Sequence, residues 1–76
     1  MPKIASDGKY TIRVYIRNEH PPPHVHVLYD GKISRVSLID LRVMDNVPES
    51  EEKALKAIVK KYREEALRVW AEVNEG

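Results

Sequence analysis

The dipeptide Asp30-Gly31 separates two stretches in which apolar and polar residues alternate. A type I′ hairpin turn needs positive φ at both central residues, and Asp-Gly is one of the sequences that adopt it most readily. Alternation with a period of two is typical of a strand with one buried face. The sequence therefore predicts an antiparallel hairpin, with strands over 24–29 and 33–38, as the organising unit of the fold.

The register of this hairpin assigns its side chains to two faces, because successive residues of a strand point to opposite sides. With Asp30 and Gly31 as the loop, His26 pairs with Arg35. We call one side the valine face and predict that it is core; it consists of Val25, Val27, Tyr29, Val36 and Leu38. We call the other side the histidine face and predict that it is solvated; it consists of His24, His26, Leu28, Ile33, Arg35 and Ser37. Its two apolar members predict contact with a partner or a second copy of the chain.

A third strand is predicted before the hairpin, over 10–16, where apolar and polar residues again alternate. Its inward side carries Ile12 and Val14. Its outward residues extend the histidine face: Arg13, Tyr15 and Arg17. The three prolines that follow end this strand, because proline has no N–H to donate to a neighbouring strand. A short fourth strand is expected over 41–44.

The apolar residues between Pro48 and Asn74 recur every three or four positions, which is the pattern of an amphipathic helix. Asn46 is expected to cap its N-terminus, and a kink or break is expected near Glu64. The fold class that follows is α+β: a small antiparallel sheet of three to four strands, covered on one face by a long C-terminal helix. Residues 1–76 form a single domain.

Composition excludes several classes of function. The chain has no cysteine, so it has no disulfide framework, thiolate metal site or cysteine nucleophile. Its net charge of +1 gives no bulk argument for nucleic-acid binding. No apolar run reaches the roughly 18 residues of a membrane span, so a cytoplasmic location without a membrane partner is expected. A core built from 76 residues gives modest stability, which a partner or homodimer would increase.

All three histidines lie within residues 20–26, on both sides of the proline run. His24 and His26 project to the same side of a strand, whereas His20 joins them only if the proline run bends. One interpretation is a solvated strand face. A second is a metal site, although zinc normally takes three or four protein ligands.

The third interpretation is a phosphate-binding surface with acid–base chemistry. Its candidate catalytic residues are His20, His24 and His26. Its candidate nucleic-acid-binding residues are Arg13, Tyr15, Arg17 and Arg35. No metal ligand and no cofactor is assigned.

Several segments together resemble a small prokaryotic family marked by a His-x-Pro-Pro-His-x-His signature, the domain of unknown function 4160 family. They are the opening Met-Pro-Lys-Ile, the strand ending in Tyr15, the run from His20 to Val27, and Leu67 with Trp70. The positions that match the family are His20, Pro22, Pro23, His24, His26 and the helix-opening Pro48. The chain departs from it at Val25, Asn46 and Tyr62, where the family usually has an aromatic residue, a glycine and a tryptophan.

Members of this family are often encoded beside a second small domain, in arrangements that resemble toxin and antitoxin pairs. The resemblance therefore implies a small partner protein from a neighbouring gene, and it does not choose among the three interpretations. We predict a component of a toxin-antitoxin-like module that binds this protein partner, and RNA or DNA, through the histidine face. The alternatives are a metal-independent ribonuclease that uses His24 and His26, and a metal-binding module.

Overall fold

The computed structural model describes residues 3–14 and 23–74 of the chain. Four strands are followed by two helices: β1 (Lys3–Asp7), β2 (Tyr10–Arg13), β3 (His24–Tyr29), β4 (Lys32–Ser37), α1 (Glu49–Lys61) and α2 (Arg63–Asn74). The strands form one antiparallel sheet in the order β1-β2-β3-β4. The predicted α+β class is confirmed. In the part of the chain described, neither helix has the length and apolar character needed to cross a membrane.

The hairpin of β3 and β4 has the predicted turn and register. Asp30 and Gly31 have φ angles of 48° and 72°, as a type I′ turn requires. His26 pairs with Arg35, and every other pair also follows the expected register: His24 with Ser37, Val25 with Val36, Val27 with Ser34, Leu28 with Ile33 and Tyr29 with Lys32. Local turn chemistry was therefore sufficient to set the alignment of the two strands of the hairpin.

The fourth strand is not where the sequence placed it. It is β1, which pairs with β2 through a tight turn at Gly8 (φ 58°). The expected strand over 41–44 is instead an irregular segment with one isolated bridge, between Val43 and Val36. This segment still covers the outer edge of β4, because Ser37 N–H donates to the Arg42 carbonyl at 2.9 Å and Met44 N–H donates to the Arg35 carbonyl at 2.8 Å.

The helical stretch is broken at Tyr62, just before the expected position at Glu64. The Tyr62 hydroxyl donates to the Asp7 carboxylate at 2.7 Å, and the Arg63 Nε donates to the Leu38 carbonyl at 2.6 Å. These contacts hold the junction of α1 and α2 against the sheet. The expected N-cap at Asn46 is wrong: the capping position is Pro48, and no side chain caps α1.

The core lies between the valine face and the two helices. All five valine-face residues are buried, and Ile12 and Val14 continue this layer into the first half of the sheet, as predicted. The helices contribute Leu55, Val59, Ala66 and Trp70. Because one face of the sheet is packed in this way, the opposite face of the four strands is the surface on which the histidine motif lies.

Candidate nucleic-acid interface

Four basic side chains form a row across the sheet on the side opposite the core. Arg13 pairs with His26 and His26 pairs with Arg35, so the three lie side by side on neighbouring strands. A β-bulge between Lys3 and Ala5 brings Lys3 opposite Arg13 and extends the row to the edge strand β1. Directly opposed residues of antiparallel strands have Cβ atoms about 4.5–5.5 Å apart. We call Lys3, Arg13, His26 and Arg35 the cationic row.

Arg35 is fixed at one end of the cationic row by the carboxylate of Asp45. Its Nη2 donates to Asp45 Oδ1 at 3.0 Å and its Nε to Oδ2 at 3.3 Å, while the Arg35 backbone N–H donates to Oδ2 at 2.7 Å. The pKa of Asp45 is lowered below its ordinary value, mainly by hydrogen bonds from the Arg35 side chain. Partial burial of Asp45 acts in the opposite direction and raises this pKa. The Arg35 guanidinium is thus oriented and partly neutralised.

His24 packs against Trp70 of α2 rather than lying in solvent, so α2 also covers this end of the histidine face. Its side chain is only 4% exposed, and its ring centroid is 5.1 Å from that of Trp70 on α2 and 5.3 Å from that of His26. The sequence placed His24 on a solvated face; the structure corrects this, because α2 brings Trp70 over the start of β3. His24 and His26 do project to the same side, as predicted.

His26 occupies the centre of the cationic row and is half-buried. Its Nδ1 atom is buried, and its charge contributes to lowering the pKa of Asp45, after the contributions of Arg35. His26 is therefore electrostatically linked to the Arg35–Asp45 pair.

A second row of side chains runs beside the cationic row towards the hairpin turn. Thr11 pairs with Leu28, and Leu28 pairs with Ile33. Thr11 and Leu28 are half-buried, whereas Ile33 is 53% exposed. We call these three residues the apolar row. The histidine face is therefore graded, from buried at His24 to open at Ile33.

Three of the residues singled out from the sequence lie outside the described part of the chain: His20, Tyr15 and Arg17. The structure therefore does not place them relative to the cationic row. Among residues 3–14 and 23–74, no three His, Asp or Glu side chains are grouped as a metal site would need.

Two members of the site, Lys3 and Asp45, were not identified from sequence. Lys3 was missed because strand β1 was not predicted. Residues 3–7 form a short segment in which apolar and polar residues do not clearly alternate. Asp45 had a usable signal, since it directly follows the segment 41–44 that was expected as a fourth strand. A carboxylate at the end of that segment could have been placed next to Arg35.

Comparison with known proteins identifies a family but adds no function. No curated protein and no solved structure matches the chain. A family model described as "Domain of unknown function (DUF4160)" matches residues 10–71, which include β2, the hairpin with His24 and His26, all of α1 and most of α2. This match confirms the resemblance that the histidine signature indicated, and the chain belongs to the DUF4160 family.

Proposed function

We propose that this domain binds nucleic acid, with the cationic row contacting the phosphate backbone, as one component of a toxin-antitoxin-like pair. The observation that carries the proposal is the alignment of Lys3, Arg13, His26 and Arg35 across all four strands of one sheet face. The resemblance of the histidine signature to the DUF4160 family implies a small partner protein, which would be encoded by a neighbouring gene.

Local concentration of charge supports this proposal, although the net charge of the chain is only +1. Several lysines elsewhere are paired with carboxylates: Lys9 with Asp30, Lys32 with Glu51 and Lys61 with Asp7. The cationic row places basic side chains at directly opposed positions of neighbouring strands, with a carboxylate from Asp45 at one end. Like charges on directly opposed residues destabilise a sheet. An anionic ligand would offset that cost.

The alternative function, a metal-independent ribonuclease, has one specific observation in its favour: the 5.3 Å between the ring centroids of His24 and His26. A general acid or base must come within hydrogen-bond distance of the group whose proton it transfers. His24 is buried against Trp70, which blocks such access. Geometry therefore favours binding over cleavage.

The decisive experiment measures binding of a fluorescent RNA to wild type, Arg13→Gln and Arg68→Gln at several salt concentrations. Arg68 is an arginine of α2 that pairs with Glu72 and serves as the matched control. Each phosphate contact contributes a slope of about 0.7 to the salt dependence of single-strand binding. We expect Arg13→Gln to weaken binding severalfold and to reduce the slope by about one contact, while Arg68→Gln leaves both unchanged.

The same samples distinguish the two functions. The RNA recovered after binding should be intact with wild type and with His26→Gln. Cleavage that disappears in His26→Gln, without added metal, would replace the binding proposal with the ribonuclease. Equal losses in Arg13→Gln and Arg68→Gln would show that overall charge, and not the cationic row, controls association.

A further inference from the structure

We infer that the form of nucleic acid recognised by this surface is single-stranded; the inference rests on the proposed function and names its ligand class. It comes from the arrangement of the two rows on the histidine face. Each member of the apolar row lies two positions from a member of the cationic row in the same strand: Thr11 from Arg13, Leu28 from His26 and Ile33 from Arg35. Two residues of a strand span about 6.6–6.8 Å.

This arrangement suits a chain whose phosphates and bases are both accessible. A backbone that follows the cationic row can place its bases over Leu28 and Ile33, where base faces exclude water from apolar side chains. Proteins that bind single strands without sequence preference combine a positive surface for the backbone with side chains, usually aromatic, on which the bases stack. Here the aliphatic Leu28 and Ile33 would take the place of the aromatic side chains. In a duplex the base faces are stacked inside and only base edges are accessible.

The width of the sheet also favours a single-stranded ligand. The axes of the outer strands of a four-stranded sheet are about 14 Å apart, because neighbouring strands are about 4.8 Å apart. The major groove of B-DNA is about 12 Å wide and admits a helix or a two-stranded ribbon. The face that carries the cationic row is therefore too wide to enter the groove, and it could touch only the outer phosphates of a duplex, leaving Ile33 in water.

The exposure of Ile33 points to an occupant of this face. Ile33 is 53% exposed and stands beside Arg35, so the surface offers apolar area and positive charge together. Charge complementarity requires an anionic ligand with an apolar side. Single-stranded nucleic acid meets both conditions, because its phosphates can lie along the row of basic side chains while its bases lie against the apolar side chains. An acidic segment of a protein partner is the competing occupant, and the experiment below separates the two.

The test compares three ligands at matched salt: a single-stranded RNA of about 20 nucleotides, the blunt DNA duplex of the same sequence and inorganic polyphosphate. We expect wild type to bind the single strand most tightly. Ile33→Ser should weaken single-strand binding about fivefold, because the base platform is lost, while polyphosphate binding stays unchanged. Ile39→Ser is the matched control, since Ile39 is 58% exposed but lies in the turn after β4. A single-stranded DNA of the same sequence shows whether the sugar matters.

Each result decides the inference. Equal affinity for single strand and duplex, or an Ile33→Ser variant that binds the single strand like wild type, overturns it while leaving phosphate-backbone binding intact. Absence of binding to every nucleic acid overturns the proposed function as well. If Ile33→Ser instead abolishes capture of the product of the neighbouring gene and leaves RNA binding unchanged, an acidic partner segment is the occupant. Both variants replace an exposed side chain, so both should remain folded at the assay temperature, which thermal unfolding checks.

Discussion

The two faces of the β3–β4 hairpin come from the same residues of the chain and have opposite characters. On the valine face, Val25, Val27, Val36 and Leu38 are all 0% exposed. On the histidine face, exposure rises from 4% at His24 to 53% at Ile33. The valine face is uniformly buried and excludes water along its whole length. The histidine face changes character along its length, because one end is covered by α2 and the other end is open.

This difference shows where a histidine motif can act. The end of the histidine face nearest α2 is part of the packed interior, since His24 contacts Trp70. The open end, with Arg35 and Ile33, belongs to the surface. His26 lies between them and is the member of the pair that can contribute both to stability and to binding. The predictions below test this division by substituting one residue on each side of it.

The largest expected effect separates the valine face from the histidine face. Leu38→Ala removes a fully buried side chain and should lower the free energy of unfolding by about 2–5 kcal/mol. Ile33→Ala, on the open side, should cost about 1 kcal/mol or less, mainly through reduced strand propensity. Urea unfolding followed by circular dichroism measures both. Similar losses in the two variants would contradict the assignment of the faces.

A smaller effect separates the two histidines. His24→Ala leaves a cavity beside Trp70 and should lower the free energy of unfolding by about 1–3 kcal/mol. His26→Ala removes a half-buried side chain and should cost less than about 1 kcal/mol. Thermal and urea unfolding measure the two. If His24→Ala were as stable as wild type, the burial of His24 would serve a functional site rather than the stability of the core.

The sequence was a good guide wherever structure depends on near neighbours. The Asp30-Gly31 turn, the pairing of His26 with Arg35 and the burial of Val27 all follow from turn chemistry and a period of two. The presence of Arg13 on the same face as His26 followed from the alternation of its strand as well, and the structure pairs the two residues directly. Three of the four members of the cationic row, Arg13, His26 and Arg35, could be placed on one face in this way.

The remainder depends on contacts between distant parts of the chain. The burial of His24 requires Trp70, which lies far away in sequence and reaches β3 only because the helical stretch breaks at Tyr62. Lys3 enters the row through a bulge in a strand without a clear alternating pattern. Neither a tertiary contact nor a bulge leaves a periodic signal in a single sequence.

Acid should lower the stability of the protein through one carboxylate on each side of the sheet. Hydrogen bonds from the Lys61 side chain and then the Tyr62 hydroxyl lower the pKa of Asp7, beside the core, and Arg35 lowers that of Asp45, beside the histidine face. A carboxyl whose pKa is lower in the folded state contributes stability above its unfolded value, here 3.8, and loses it as the pH falls through the folded value.

The measurement is the urea midpoint between pH 7 and pH 2 for wild type, Asp7→Asn and Asp45→Asn. Each variant should be less stable than wild type at pH 7, and the difference should shrink below pH 3.8 as the wild-type carboxyl is protonated. For Asp45, which is partly exposed, we expect a difference of about 0.5 kcal/mol at pH 7. A difference that stays constant down to pH 2 would show that the charge of the carboxylate is not the stabilising feature.

The smallest and most specific effect concerns binding at the open end of the histidine face. The Asp45 carboxylate occupies Nε and Nη2 of Arg35 in the two-point geometry that a phosphate would use. Asp45→Asn removes a negative charge from that position and should raise affinity for RNA about threefold at low salt, with a smaller gain at high salt. Glu72→Gln is the matched control, because Glu72 forms an exposed pair with Arg68 at the same 3.0 Å. An equal gain in both variants would mean that net charge alone matters, whereas no gain in Asp45→Asn would show that a ligand does not compete with Asp45 for Arg35.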